Sequence, residues 1–158
     1  GKIFLEKKFK ELGIKKYKVS IARCYTFIGT DILRYKYAIS DLINDAQKKS
    51  KINLNTSINV YRSYMHSNDL AKWLIIILKN SNMKCPIFNV GSDKVINLRN
   101  LAKKIGNIVN KKVRIKKVNS NKYDYYVPSI DKAKKILNLK ISINLNDALI
   151  STIKKSND

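Results

Sequence analysis

An α/β fold with some parallel strand pairing is what this sequence predicts, on three observations. Strand-like and helix-like segments alternate along the whole chain, two strand segments at 18–23 and 86–90 are apolar enough to sit inside a sheet, and capping residues stand at the starts of several helical segments. At 158 residues there is room for one respectable core and too little chain for two ordinary domains. No internal repeat or low-complexity linker interrupts the pattern.

The elements follow in order. Residues 2–12 place Ile3, Phe4, Leu5, Phe9 and Leu12 on one face of a helix expected to lie against a core, with Gly13 as its stop. A strand follows at 18–23. After a turn at Gly29, Thr30 and Asp31, helical patterning runs over 35–47. Short strands at 51–54 and 59–65 lead into a helix over 68–79, for which Ser67, Asn68 and Asp69 offer capping oxygens and a first-turn negative charge. The run from Trp73 to Leu78 reads as a buried part of that helix. Residues 86–90 form a strand closed by Gly91, Ser92 and Asp93, and Asn97 caps a helix to about Val109. A strand at 112–118 and two closing helices at 130–137 and 145–154, begun by Ser129 and Asn144, complete the chain.

Composition narrows the function. The formal net charge is +22, which invites a nucleic-acid partner, but the lysines are spread over the whole chain. Arginine, which supplies bidentate contacts to bases and phosphates, occurs only as Arg23, Arg34, Arg62, Arg99 and Arg114. Solvated lysine faces account for the charge better than a nucleic-acid surface does. The longest apolar run is far shorter than the roughly 18 residues of a membrane span, and Lys2, Lys7, Lys8 and Lys10 break up any signal-peptide core. A cytoplasmic, membrane-free protein is expected. Cys24 and Cys85 match no metal spacing and read as reduced, buried thiols in separate strands; with a single histidine, His66, no metal is expected.

With arginine this scarce, its positions carry information. Alternation through 60–65 puts Arg62 and Tyr64 on one strand face, where a guanidinium fork beside a phenol ring suits a phosphate attached to a base or sugar. The plainer alternative for Arg62 is to cap a carbonyl or pair with Asp69, and for Tyr64 simply to pack.

The segments Ala22-Arg23-Cys24-Tyr25-Thr26-Phe27-Ile28-Gly29, Arg62-Ser63-Tyr64 with Asp69-Leu70-Ala71, Phe88-Asn89-Val90-Gly91-Ser92, Asn97-Leu98-Arg99-Asn100-Leu101-Ala102 and Tyr126-Val127-Pro128-Ser129 with Lys132-Ala133 are specific in their order and spacing. Together they resemble the C-terminal half of an extended short-chain dehydrogenase/reductase, of the NAD-dependent nucleotide-sugar epimerase/dehydratase family. The resemblance covers nearly the whole chain. It implies the last parallel strands of a Rossmann-like fold plus a small mixed α/β substrate-binding domain. Residues 1–34 would end the cofactor-binding domain, and 35–158 would be mainly substrate-binding, with the strand at 86–90 returning to the core sheet.

The same resemblance implies site residues. Lys2, with Glu6 further along the helix, fits the end of the family's Tyr-x-x-x-Lys motif, whose tyrosine would precede Gly1; alone, Lys2 reads as a solvated helix lysine. The glycines cannot form a dinucleotide phosphate loop, so the chain is expected to be a fragment of the enzyme, inactive alone. In the family a tyrosinate removes a proton from a sugar hydroxyl while NAD, favoured over NADP, accepts the hydride. A nearby ammonium makes that tyrosinate accessible at neutral pH, the role implied for Lys2. Cys24 and Tyr25 would border the cofactor, and Thr26, Arg62, Tyr64 and Lys122 the nucleotide-diphosphate sugar. The family often forms homodimers through helices, which is expected of the complete protein. Two departures stand out: Thr56-Ser57-Ile58 replaces a glycine-rich hairpin turn, and Lys122 stands near where relatives carry a second arginine. A non-catalytic basic binding module, or a degenerate relative kept as a scaffold, is the competing reading.

Overall fold

The computed structural model describes residues 1–30, 36–118 and 120–155. Its strands form short, mostly parallel pairs. Strand β1 (Ile21–Cys24) runs parallel to β6 (Ile87–Val90), β2 (Phe27–Ile28) to β5 (Met65–His66), and β3 (Lys51–Leu54) to β8 (Lys112–Ile115). A three-stranded sheet has β4 (Asn59–Arg62) at its centre, antiparallel to β7 (Ile96–Asn97) and parallel to β9 (Tyr123–Tyr126). Parallel pairs need crossover connections, and the helices α1 (Lys2–Lys15), α2 (Ala38–Lys48), α3 (Ser67–Lys79), α4 (Leu98–Val109), α5 (Asp131–Leu137) and α6 (Leu145–Lys155) alternate with the strands accordingly. The α/β expectation holds.

Apolar side chains gather in two clusters. The larger joins Leu42 and Ile43 of α2, Ile52 of β3, Leu101 and Ile105 of α4, and Leu149 of α6. The smaller joins Trp73 and Ile77 of α3, Phe88 and Val90 of β6, and Ile130 and Ala133 around α5. Side-chain caps mark the starts of α3, α4 and α6, while α1, α2 and α5 have none. Asn97 Oδ1 accepts the Arg99 N–H at 2.9 Å, and Asn144 Oδ1 accepts those of Asn146 and Asp147 at 2.9 and 3.1 Å.

Several expectations are corrected. The apolar face expected on α1 does not form: Ile3 and Phe4 lie around the helix from Leu5, Phe9 and Leu12, and all five are open to solvent, Ile3 being 74% exposed. Gly13 does not stop α1 but lies buried within it, where a Cβ would stand 3.2 Å from the Cβ of Cys85 and 3.5 Å from that of Val19. The strand expected at 59–65 breaks after Arg62, because Met65 leaves the β4 sheet to pair with Phe27. Residues 56–58 are no hairpin turn, since β3 and β4 lie in different sheets; the Thr56 hydroxyl closes the bend by donating to the Ile58 carbonyl at 2.8 Å.

On α3 only Trp73 and Ile77 of the apolar run are deeply buried, while Ile75 and Leu78 are exposed. The cap of α3 comes from His66, whose Nδ1 accepts the Asn68 N–H at 3.1 Å. Ser129 does not cap α5; its hydroxyl donates to the Asp131 carboxylate. Strand β1 is less buried than expected, with Arg23 and Cys24 exposed. Cys24 is thus an exposed thiol, and the buried Cys85 sits outside any strand at φ 48°. The expected turn residue Asp31 and helix start Tyr35 lie outside the described residues, as does Arg34.

Candidate functional site

The carboxyl end of β1 is bonded on both sides, to β6 and to the segment after β4. Tyr25 N–H donates to the Val90 carbonyl at 2.9 Å, extending the β1–β6 ladder by one residue. On the other side, the Thr26 hydroxyl donates to the Ser63 carbonyl at 2.7 Å and the Met65 N–H donates to the Thr26 carbonyl at 3.2 Å. The segment from Cys24 to Thr26 is therefore pinned between β6 and the break after β4. In open α/β sheets the crevice beyond the carboxyl ends of parallel strands is the usual ligand position.

Two further contacts shape this position. On α1, Glu6 receives both a 2.8 Å bond from Arg23 Nε and a 2.6 Å bond from Arg23 Nη2. That fork lowers the Glu6 pKa and raises that of Arg23, and it holds the amino end of α1 against β1. Strand β9, aligned with β4 so that Arg62 faces Tyr126, supplies the rest. The Tyr126 ring stacks on Tyr25 with centroids 4.7 Å apart, and the Arg62 guanidinium carbon lies 5.9 Å from the same ring.

The result is a cleft of about 460 Å³ lined by Lys2, Cys24, Tyr25, Thr26, Arg62 and Tyr64, together with Tyr37, Leu98 and Tyr126. The structure thus brings all the sequence-predicted site residues except Lys122 to one hollow. Lys122 is exposed and does not line it; its backbone carbonyl accepts the Asn59 N–H at 3.2 Å and so starts the alignment of β4 with β9. A second hollow of about 460 Å³ adjoins the first along α1 and β1, sharing Lys2, Cys24, Tyr25 and Tyr126.

Arg62 does not pair with Asp69. Its Nη2 bonds the Asp124 carboxylate at 2.5 Å, and its Nη1 donates to the Tyr61 and Asp124 carbonyls at 2.8 and 3.3 Å. Asp69 is instead buried, accepting the backbone N–H groups of Ser142 and Ile143 at 2.9 Å each and the Ser142 hydroxyl. Tyr64 is only 6% exposed and packs in the larger cluster. Burial pushes its phenol up to about 12, against a smaller pull from Arg62, so it stays protonated at neutral pH and cannot act as a base. Although Cys24 is exposed, its sulfur is partly shielded from water, which raises the thiol and argues against a thiolate nucleophile.

Sequence reasoning missed Asp124 and Tyr126 because it missed β9. The signal was present as three tyrosines within four residues, a composition common in strands. Among the described residues no group of histidine, cysteine and carboxylate side chains is arranged to hold a metal, and no helix is long and apolar enough to cross a membrane.

No protein-family model matches the chain, and no curated protein matches it by sequence. Solved structures do match by fold. UDP-glucose 4-epimerase from Thermotoga maritima, solved with UDP-glucose, superposes with a TM-score of 0.75 at 17% identity, over 96% of this chain and 49% of that one. A UDP-glucuronic acid 4-epimerase variant from Bacillus cereus, in complex with a UDP-sugar and NAD, gives 0.70 at 18% identity, over 87% and 46%. RMD from Pseudomonas aeruginosa, complexed with NADPH, gives 0.72 at 16% identity, over 94% and 52%. The chain shares its mixed α/β fold with these solved structures and spans about half the length of each.

Proposed function

We propose that this chain carries the substrate-binding side of an NAD-dependent enzyme that epimerises or dehydrates a nucleotide-diphosphate sugar through a transient keto-sugar. The observation that carries this reading is the convergence of Lys2, Cys24, Tyr25, Thr26, Arg62 and Tyr64 on one cleft at the carboxyl end of a parallel strand. The fold likeness, at low identity, is to solved structures that hold UDP-glucose, a UDP-sugar with NAD, or NADPH. On this reading residues 1–34 belong with the cofactor domain and 35–158 mainly with substrate binding.

The residues present fit one edge of a nicotinamide cofactor. Lys2, Cys24 and Tyr25 line both adjoining hollows, so a ligand bridging them would lie across the end of β1. When bound, NAD would supply the hydride acceptor for oxidation of the sugar. Lys2 would then place a positive charge beside the tyrosine base, favouring its anion, and donate to the cofactor ribose. Cys24 and Tyr25 would border the nicotinamide. The Thr26 hydroxyl already donates to Ser63, so it can offer a sugar hydroxyl only an accepting lone pair. Arg62 would neutralise the diphosphate, and Tyr64 would form a neutral wall of the nucleotide pocket. The exposed Leu5, Phe9 and Leu12 on one side of α1 support a homodimer in the complete enzyme.

The reading is tested on the full-length protein by calorimetric titration with UDP- and dTDP-sugars, before and after Arg62→Ala. Loss of one charged hydrogen bond should weaken binding by roughly 1–3 kcal/mol. Unchanged affinity would remove Arg62 from the site. A basic nucleic-acid module would instead bind RNA with a steep salt dependence and ignore Arg62→Ala.

A further inference from the structure

The guanidinium of Arg62 is already engaged, and its engagements are unequal. Its side chain is only 22% exposed and is fixed by two backbone carbonyls and the Tyr126 ring. The carboxylate of Asp124 is 48% exposed, at the solvent side of β9, an edge strand. Rotating the Asp124 side chain into water costs little, because the group is already half hydrated; moving Arg62 would break its carbonyl bonds and ring contact. Of the five guanidinium protons, the one on Nε and one on Nη2 have no partner among the described residues.

We propose that Asp124 is a displaceable counter-ion that sets the charge a ligand must carry to reach Arg62. This rests on the reading of Arg62 as an anion anchor in the cleft. A diphosphate brings more charge than one carboxylate and has forked oxygens that match the guanidinium, so it takes the place of Asp124 at Nη2 and also uses the open Nε proton. A neutral nucleoside gains nothing from Arg62 and leaves the Asp124 pair closed. Asp124 is thus a specificity-determining residue that acts by competition and lowers affinity for every anionic ligand.

The experiment compares wild type, Asp124→Asn, Asp124→Ser, Arg62→Ala and the Arg62→Ala/Asp124→Asn pair in the full-length protein, with thermal melting to establish that each is folded. UDP and dTDP are the charged probes, uridine and thymidine the neutral ones. Removing the competitor should tighten diphosphate binding roughly three- to fivefold in both Asp124 variants, the scale of an exposed ion pair. Binding of the neutral nucleosides should not change, and the gain should vanish in the double variant. Diphosphate binding that is equal or weaker in both Asp124 variants, while Arg62→Ala still weakens it, overturns the counter-ion role and leaves the anchor standing. If Arg62→Ala does not weaken diphosphate binding, the anchor and the counter-ion fall together.

Discussion

Asp69 stands where a helix start wants a negative charge, and its carboxylate at the amino end of α3 fits that local role. Its main work is remote, however. With 1% exposure it accepts two backbone N–H groups and one hydroxyl from Ser142 and Ile143, fastening the approach to α6 onto α3. Asp69→Ala takes the acceptor from donors on a half-exposed segment that water can partly satisfy, so we expect a loss of roughly 1–3 kcal/mol in urea unfolding, with Asp69→Asn losing less because its amide oxygen still accepts. Local chemistry was readable at this scale: Asn97 and Asn144 cap as their positions indicate. The partners of Asp69 and of Arg62 lie too far along the chain for any local pattern to reveal them. The ring nitrogen of His66 as the cap of α3 escaped notice for another reason, since the oxygens of the next three residues offered a more ordinary solution.

Among the elements, helices were more legible than strands. α4 was readable from end to end, because a capping asparagine is followed by apolar residues at helical spacing that meet one core. β9 was not, because all four of its residues are exposed and alternation of burial is absent. The split between β4 and β5 follows from the competing partner β2, which nothing in residues 59–65 announces. The candidate site inherits this pattern: residues carried by β1 and β4 could be picked out, whereas those from β9 could not. Close packing between elements is also hidden from sequence. Where α4 passes over β8, a Cβ on Gly106 would stand 2.5 Å from Val113 Cγ2 and 2.9 Å from the Lys111 carbonyl. Gly106→Ala forces these elements apart against its gain in helix propensity, and we expect a net loss of roughly 1–3 kcal/mol, read as a lower urea midpoint at unchanged slope.

For the molecule as a whole, acid is the sensitive direction. Lys134 holds the Asp93 carboxyl below the usual range, Arg62 does the same for Asp124, and at Asp45 the Lys49 ammonium and Asn53 N–H outweigh a burial effect of opposite sign. A carboxylate with a lowered folded pKa contributes its full stability above the unfolded value and loses it as pH falls through the folded one. The urea midpoint should therefore stay level from pH 8 to about 5 and drop below about pH 4. A midpoint that rose on acidification would contradict these pairings.

The bare apolar side chains of α1 have a colloidal consequence. On a chain of formal charge +22, molecules in dilute buffer are held apart by mutual repulsion even though each presents exposed apolar side chains. Dissolved electrolyte shortens the reach of that repulsion to a few ångströms without weakening the apolar contacts. Purification in concentrated brine would therefore favour clumping, and a dilute medium would keep the chain dispersed.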